Sequence, residues 1–575
     1  MSDKQQNRGR RREPGDGTVD TVFVNGTVLT VDASDRETEA VAVQGGRIVA
    51  VGDSAEIMKL RRPSTTVVDL AGRTLMPGLT DAHVHLADDG TNRLHALDVR
   101  DFYTNVASVA DILDKVKIHA GQQPPDGWIV ATGSPIQQMR MVEGRFPHRR
   151  ELDKVAPHNP LIVTFGAHIT IANSAALKKA GITMDTPDPA GGHIDRDTVN
   201  NELTGKLVER AQMLIRKVIG DKLPVSQDPK NDVGNIKQGI KNASQLCLAR
   251  GVTTIHDVVK SGATIRAYLE MARNGEMPIR SDMLVRIIEA SYGPDALLDL
   301  GIVTGFGNDW LKIGGVKLSI DGGITGHAAA FHEPYSDAED GCDCGLIRIQ
   351  AEELDPVVER YHRAGHRICV HAIGDRAMDM AIDAFGKALA AKPRLDHRHR
   401  VEHLGNWMMS PERMNKVKSL GLLPIPNMAF MYYIHESLMS YLGAARMTRS
   451  FPMKSMMEAG IPLITGSDGP GYWPVDALND IAVAVSRHVR KGYEADPEEA
   501  IGLKDAIRMV TANAAFGGFA EKLKGSIEVG KLADFAILAR NPYNVDAARI
   551  RDIQVDMTVL DGEVAYQAPG VELRQ

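Results

Sequence analysis

Short apolar runs that close on polar side chains recur through the middle of this chain, and they restrict its fold more than any other feature. Candidate strands cover Thr74–His85, Thr253–His256, Met283–Ile288, Leu311–Ser319, His366–His371, Arg400–His403, Leu422–Pro426 and Pro462–Asp468. Amphipathic stretches follow many of them, as at Leu354–Ala364, Arg376–Ala391, Pro411–Leu420 and Lys504–Ala512. This alternation predicts the α/β class and a (β/α)8 TIM-like barrel, with parallel strands inside and helices outside. A polar residue that ends a buried strand then falls on the barrel rim, where side chains from several strands converge.

Six such residues could share one pair of metal ions. His83 and His85, in Gly78-Leu-Thr-Asp-Ala-His-Val-His-Leu86, are two residues apart, so on a strand they project from one face and can grip the same ion. Lys317 follows Val316, His371 closes Ile368-Cys-Val-His371, His403 closes Arg400-Val-Glu-His403, and Asp468 closes Ile464-Thr-Gly-Ser-Asp468. His83, His85 and Asp468 would hold one ion and His371 and His403 the other, with Lys317 between them. An ammonium cannot ligate, so Lys317 would first react with carbon dioxide to give a carbamate, a reaction that burial beside cations favours; the competing arrangement is an ion pair between Lys317 and Asp321. A metal pair about 3.5 to 4 Å apart can bridge a water and bring its pKa to about 7. Asp468 beside that hydroxide would act as general base and then general acid, unless it only caps the turn after Gly466-Ser467.

The flanks read differently. Thr21–Val24, Thr27–Thr30, Ala40–Val43, Arg47–Val51 and Thr66–Val68 are β-prone runs with Asn25-Gly26 and Gly45-Gly46 turns, and the texture returns at Leu532–Leu538, Val555–Leu560 and Val564–Tyr566 around Asp561-Gly562. Residues 18–76 and 525–569 are therefore expected to form one β-domain from both termini, with the barrel, 77–524, inserted between them. The stretch from 86 to 230 is too long for one connection, so 127–224 is expected to be an inserted subdomain after barrel strand 1 that roofs the site. Residues 1–17 have almost no apolar side chains and read as a disordered tail; Arg10-Arg11-Arg12 lacks the apolar core of an export signal.

A net charge of −7 and a pI near 6.3 give no global basic footprint, which argues against nucleic acid as a partner. No stretch approaches a membrane span. Cys247, Cys342, Cys344 and Cys369 make no disulfide framework, so a reducing, cytoplasmic setting is expected. Cys342 and Cys344 read as loop cysteines rather than half of a zinc site. Met428, Met431, Met439, Met447, Met453, Met456 and Met457 cluster in sequence near Tyr432, Tyr433 and Tyr441, as pocket lining or as core filling.

The strings Gly78-Leu-Thr-Asp-Ala-His-Val-His, Val316-Lys-Leu with Asp321-Gly322, His371-Ala-Ile-Gly-Asp-Arg-Ala377, Val401-Glu-His403, Gly466-Ser-Asp468 and Asn173-Ser-Ala-Ala-Leu177 resemble the amidohydrolase superfamily. Within it the chain is most similar to the amidohydrolase-3 group that includes N-substituted formamide deformylase, and the similarity covers nearly everything after Val19. The resemblance implies a barrel with a flanking β-sandwich, a metal site at the strand ends and hydrolysis of amide-like bonds. Carried across by position, it makes His83, His85, His371 and His403 metal ligands, puts Asp468 at the active site and matches Lys317 to a bridging lysine. The insertion departs from the group, with Gly133-Ser-Pro-Ile-Gln-Gln138 and Phe165-Gly-Ala-His168 where Gly-Trp-Asp and Arg-x-x-Gly-His segments commonly stand. His168 keeps its place as a residue that polarises the scissile carbonyl or orients substrate, or else as an ordinary hydrogen-bonded histidine. Trp473, in the loop leaving the last strand, is a second substrate-binding candidate.

The expected function is hydrolysis of a non-peptide carbon-nitrogen bond in a small molecule (a formamide, N-acyl amine, carbamate or similar amide), using two divalent cations, zinc first among them. A mononuclear deaminase of an amino-heterocycle and a catalytically silent barrel scaffold are the alternatives. Oligomeric state is open, a homo-oligomer included.

Overall fold

The computed structural model describes residues 19–101, 104–134, 137–166, 168–219, 232–338, 343–448 and 450–571. The tail, Cys342 and the last residues of the expected insertion lie outside this set. Seven parallel strands run side by side in chain order: β1 (Leu79–Val84), β2 (Val252–Val259), β3 (Arg280–Arg286), β4 (Leu311–Ser319), β5 (Ile368–His371), β6 (Arg400–Glu402) and β7 (Leu423–Ile425). The register brings strand ends level, with Ser319 opposite His371 and His371 opposite Glu402. β1, β2, β5, β6 and β7 are buried along their whole length, as strands packed between a barrel interior and outer helices must be.

Two of the expected strands take a different form. Thr74–His85 is divided: Thr74–Pro77 pairs with Phe535–Leu538 in another sheet, and only Leu79–Val84 enters the barrel. The run 462–468 lies beside β1 without a regular ladder. Asp468 N donates to His83 O (2.8 Å), Ala82 N to Thr465 O (3.2 Å) and His85 N to Gly469 O (2.8 Å). On its other side Thr465 Oγ1 donates to Pro426 O and accepts from Met428 N, and Asn427 Nδ2 donates to Gly466 O. Pro424 and Pro426 have no N–H for a ladder, and Asp468 takes a left-handed φ of 59°. Side chains therefore complete the closure that backbone pairing leaves open. Gly466 is required there, since a Cβ would stand 2.4 Å from His83 N.

Local signals set the outer helices. Pro411–Leu420 starts at Ser410, whose side chain accepts from Arg413 N, and ends at Gly421 with φ 65°; Gly262–Asn274 runs likewise from Ser261 to Gly275. A six-stranded sheet joins the two ends of the chain in the order Glu563–Gln567, Val555–Leu560, Phe535–Leu538, Thr74–Pro77, Thr27–Leu29, Glu37–Thr38. It shares one apolar layer with a four-stranded sheet of residues 21–69, in which Phe23 meets Phe535 edge to face. Between β1 and β2 a further six-stranded sheet runs from Leu97–Asp98 to Glu202–Glu209. Its apolar layer includes Val109, Ile112 and Val116, so it begins ahead of residue 127.

Arg280, at the start of β3, ties the barrel to the terminal sheets. It is 1% exposed, meets Asp534 through Nε (2.7 Å) and Nη2 (3.0 Å), and lies over Trp310. Removing the guanidinium leaves a buried carboxylate uncompensated. Arg280→Ala is expected to destabilise the protein by about 3–5 kcal/mol, seen as a lower urea midpoint; an unchanged midpoint would show that the pair contributes nothing.

Candidate metal centre

β1 delivers the two histidines. Asp81 accepts from His83 N (3.0 Å) and from Ser467 N (2.9 Å), which fixes the end of β1 against the irregular closing segment. Helix Leu86–His95 begins directly after His85, and Asp257 on β2 accepts the N–H groups of Leu86 and Ala87. Held this way, His83 Nε2 and His85 Nε2 each stand 3.3 Å from Asp468 Oδ1. One ligand atom from each of these three residues falls within 4.8 Å of the others.

The other candidates close around them. The His83 ring lies 5.3 Å from that of His403, and His403 Nε2 is 3.0 Å from His371 Nδ1. His403 reaches this position because it leaves β6 with φ 72°, which breaks the strand alternation after Glu402. Lys317 is 2% exposed, and its Nζ has no hydrogen-bond partner. The ion pair with Asp321 does not form: Asp321 instead accepts from Ala330, Ile373 and Gly374 N–H groups and stands 3.5 Å from His371 Nε2. His85, His168, Lys317, His371 and Asp468 line one cavity of ≈ 540 Å³.

Two buried acceptors orient the imidazoles, and neither was singled out in the sequence. Glu402 Oε2 contacts His83 Nδ1, and Asn427 Oδ1 lies 2.7 Å from His403 Nδ1. Asn427 Nδ2 already donates to Gly466 O, so Oδ1 faces His403 and Nδ1 there is the donor. Both histidines therefore turn Nε2 towards the cluster, the arrangement that ligand-supporting groups impose in metal sites. Glu402 is itself held by Arg400 through two contacts of 2.9 Å. Burial would raise the Glu402 carboxyl, but Arg400, His83 and Lys317 keep it well below the usual range. The signal was present in Arg400-Val-Glu402, where a two-residue spacing puts opposite charges on one strand face. Asn427, just past β7, had no comparable mark.

Charge at the centre suits a cation. Although burial would raise it, hydrogen bonds and charge from His83 and His85 hold Asp468 well below the usual carboxylate range. Burial pushes His403 down to about 3 and, with His403 and Lys317 adding to it, His371 well below its ordinary value. Burial pulls the Lys317 ammonium down to about 8 against the attraction of Glu402. The imidazoles of His371 and His403, whose neutral form burial favours, with an ionised carboxylate and an orphaned amine that can become anionic, form a donor set fitted to divalent metal ions.

His168 sits between Leu161–Phe165 and Ile169–Ala172, with Nδ1 2.6 Å from Glu209 Oε1 and its ring 6.3 Å from that of His371. Trp473 is placed differently from expectation. Its Nε1–H donates to Ser467 O (2.8 Å), its buried indole stacks on Tyr433, and it is not among the residues lining this cavity. The indole's apolar body is better satisfied in the core, and Tyr472 lines the cavity instead. Met428, Met431, Met453 and Met456 are core residues, and Cys344 is half-buried.

The model of the amidohydrolase family matches residues 66–566. N-substituted formamide deformylase of Arthrobacter pascens is 29% identical over 96% of this chain and 99% of its own length. The Arabidopsis thaliana protein LONG AFTER FAR-RED 3 is 31% identical over 92% of this chain and 89% of its own. The structure of an uncharacterized metal-dependent hydrolase from Pyrococcus horikoshii superposes with a TM-score of 0.70 at 25% identity, covering 92% of this chain and 99% of that one. No helix among the described residues is long and apolar enough to cross a membrane.

Because Glu402 orients His83 without joining the three-residue cluster, Glu402→Gln is expected to lower metal affinity by roughly 10- to 100-fold. Competition with a chromogenic chelator measures this, and unchanged affinity would remove Glu402 from the support of the site.

Proposed function

The chain belongs to the amidohydrolase family, and from that membership and the geometry of the rim we propose that it is a metal-dependent hydrolase of non-peptide carbon-nitrogen bonds with a two-cation centre. The observation that carries the reading is the convergence of buried His83 and Asp468 and half-buried His85 with His403, His371 and Lys317, whose Nζ has no partner. His83, His85 and Asp468 would hold one ion, His371 and His403 the other, and a carboxylated Lys317 would bridge them. Such cations supply Lewis acidity and bring a water's pKa to about 7.

The protein's own groups then have distinct tasks. Asp468 turns Oδ1 towards His83 and His85, leaving Oδ2 to take the proton of the attacking water. The same carboxyl returns that proton to the departing nitrogen, which leaves as an amine. His168 can polarise or orient the substrate carbonyl only through Nε2, since Nδ1 faces Glu209. Glu209, on the last strand of the inserted sheet, and His168, in the turn between two of its strands, line the cavity. Formamides and other N-acyl amines are the favoured substrate class, supported by the similarity to N-substituted formamide deformylase.

A panel of formamides, N-acyl aryl amines, carbamates and cyclic amides, assayed with metal-loaded protein for both carboxylate and amine release, tests this reading. Asp468→Asn is expected to cut kcat by about 10²- to 10⁴-fold. Metal analysis is expected to find two ions per chain. One ion with ammonia released from an amino-heterocycle would transfer the assignment to a mononuclear deaminase. A folded, metal-free and inert protein would make the chain a scaffold.

A further inference from the structure

Two cavities, of ≈ 540 and ≈ 170 Å³, meet beside the centre, and His85, Arg216, Lys260, Arg286 and Asp468 line both. Most cations in these walls are matched by carboxylates. Arg210 and Arg286 meet Glu289 at 3.0 and 2.9 Å, Arg348 meets Glu209 at 3.1 Å, and Lys260 meets Asp88 at 2.6 Å. Arg216 differs. It stands on the helix Gln212–Ile219, and among the described residues its guanidinium makes no hydrogen bond or ion pair. Burial works against its charge, and Asp88, Glu209 and Glu289 contribute only attraction from a distance.

A guanidinium drawn from water without a partner loses hydration and gains nothing in exchange. Its planar fork of donors is matched to a carboxylate, which it can bind through two parallel hydrogen bonds. We propose that Arg216 receives a carboxylate carried by the substrate, so that the preferred substrates are amides bearing one carboxylate apart from the scissile bond. The proposal rests on the amide-hydrolase reading above and adds the recognised group. Met213, Leu214, Val258 and Tyr472 line the same space and suit an apolar body between the two ends. Glu209 and Glu289 also face this space, and they oppose a second negative charge, which favours a carboxylate over a phosphate ester.

Two readouts test the assignment on the full chain. Calorimetry compares 3-phenylpropanoate with neutral 3-phenylpropanamide, and steady-state kinetics compares N-formylphenylalanine with N-formyl-2-phenylethylamine on metal-loaded protein. The native protein is expected to favour the carboxylate member by about tenfold or more in each pair, Arg216→Gln to erase that preference, and Arg216→Lys to keep part of it. Equal binding of the calorimetric pair, or a preference that survives Arg216→Gln, overturns the proposal. Hydrolysis of both formamides without preference overturns this site alone and leaves the hydrolase reading standing. An Arg216-dependent calorimetric preference with neither formamide hydrolysed supports the anion site and counts against the hydrolase reading.

Discussion

A carboxylate inside the barrel, Glu402, is the constraint on which the rest of the site depends. It is fully buried, and an isolated charge there would be strongly unfavourable. Arg400, on the same strand face, meets it through two nitrogens and also contacts His256 Nδ1 at 2.8 Å. Glu402 Oε2, which accepts from Arg400 Nη2, also faces His83 Nδ1. The fold thus keeps a charged group in its interior because Arg400 on its own strand and His83 on β1 satisfy it together, and the product is an imidazole of fixed orientation at the rim.

The same logic extends outward. Asn427 fixes His403 while bonding the irregular closing segment through Gly466, and Asp81 bonds that segment at Ser467 while holding His83 N. Barrel closure and ligand orientation are therefore one network. An ideal ladder in the eighth position would satisfy its own backbone and leave Asn427 and Asp81 without these partners. The left-handed φ of His403 and of Asp468 fits the same account, since both residues turn out of strand geometry at the point where their side chains are needed.

Around this rigid centre the walls differ in how completely they are neutralised. Glu209 couples His168 to Arg348, and Glu289 couples Arg210, Arg286 and Arg348. These pairs bind the inserted sheet to the barrel loops. Among the described residues lining the cavity, Lys317, deep at the metal end, and Arg216, in the wall, make no hydrogen bond or ion pair, and neither does the exposed Lys217. Lys317 and Arg216 are each best understood through what they are placed to meet.

Periodicity and spacing alone determined the barrel class, the side-by-side histidines of Gly78–Leu86 and the polar strand ends, because those properties are carried by residues two to four apart. Both flanks repeat strand and turn signals, and one six-stranded sheet takes strands from each. Tertiary structure decided what depends on distant partners. His83 and Glu402 are 319 residues apart, and no local pattern states that they meet. Nor could spacing reveal that 462–468 closes the barrel irregularly, that Trp473 packs into the core or that Arg216 has no partner among the described residues. Each is settled by which groups compete for the same buried partner, a competition that exists only once the chain has folded.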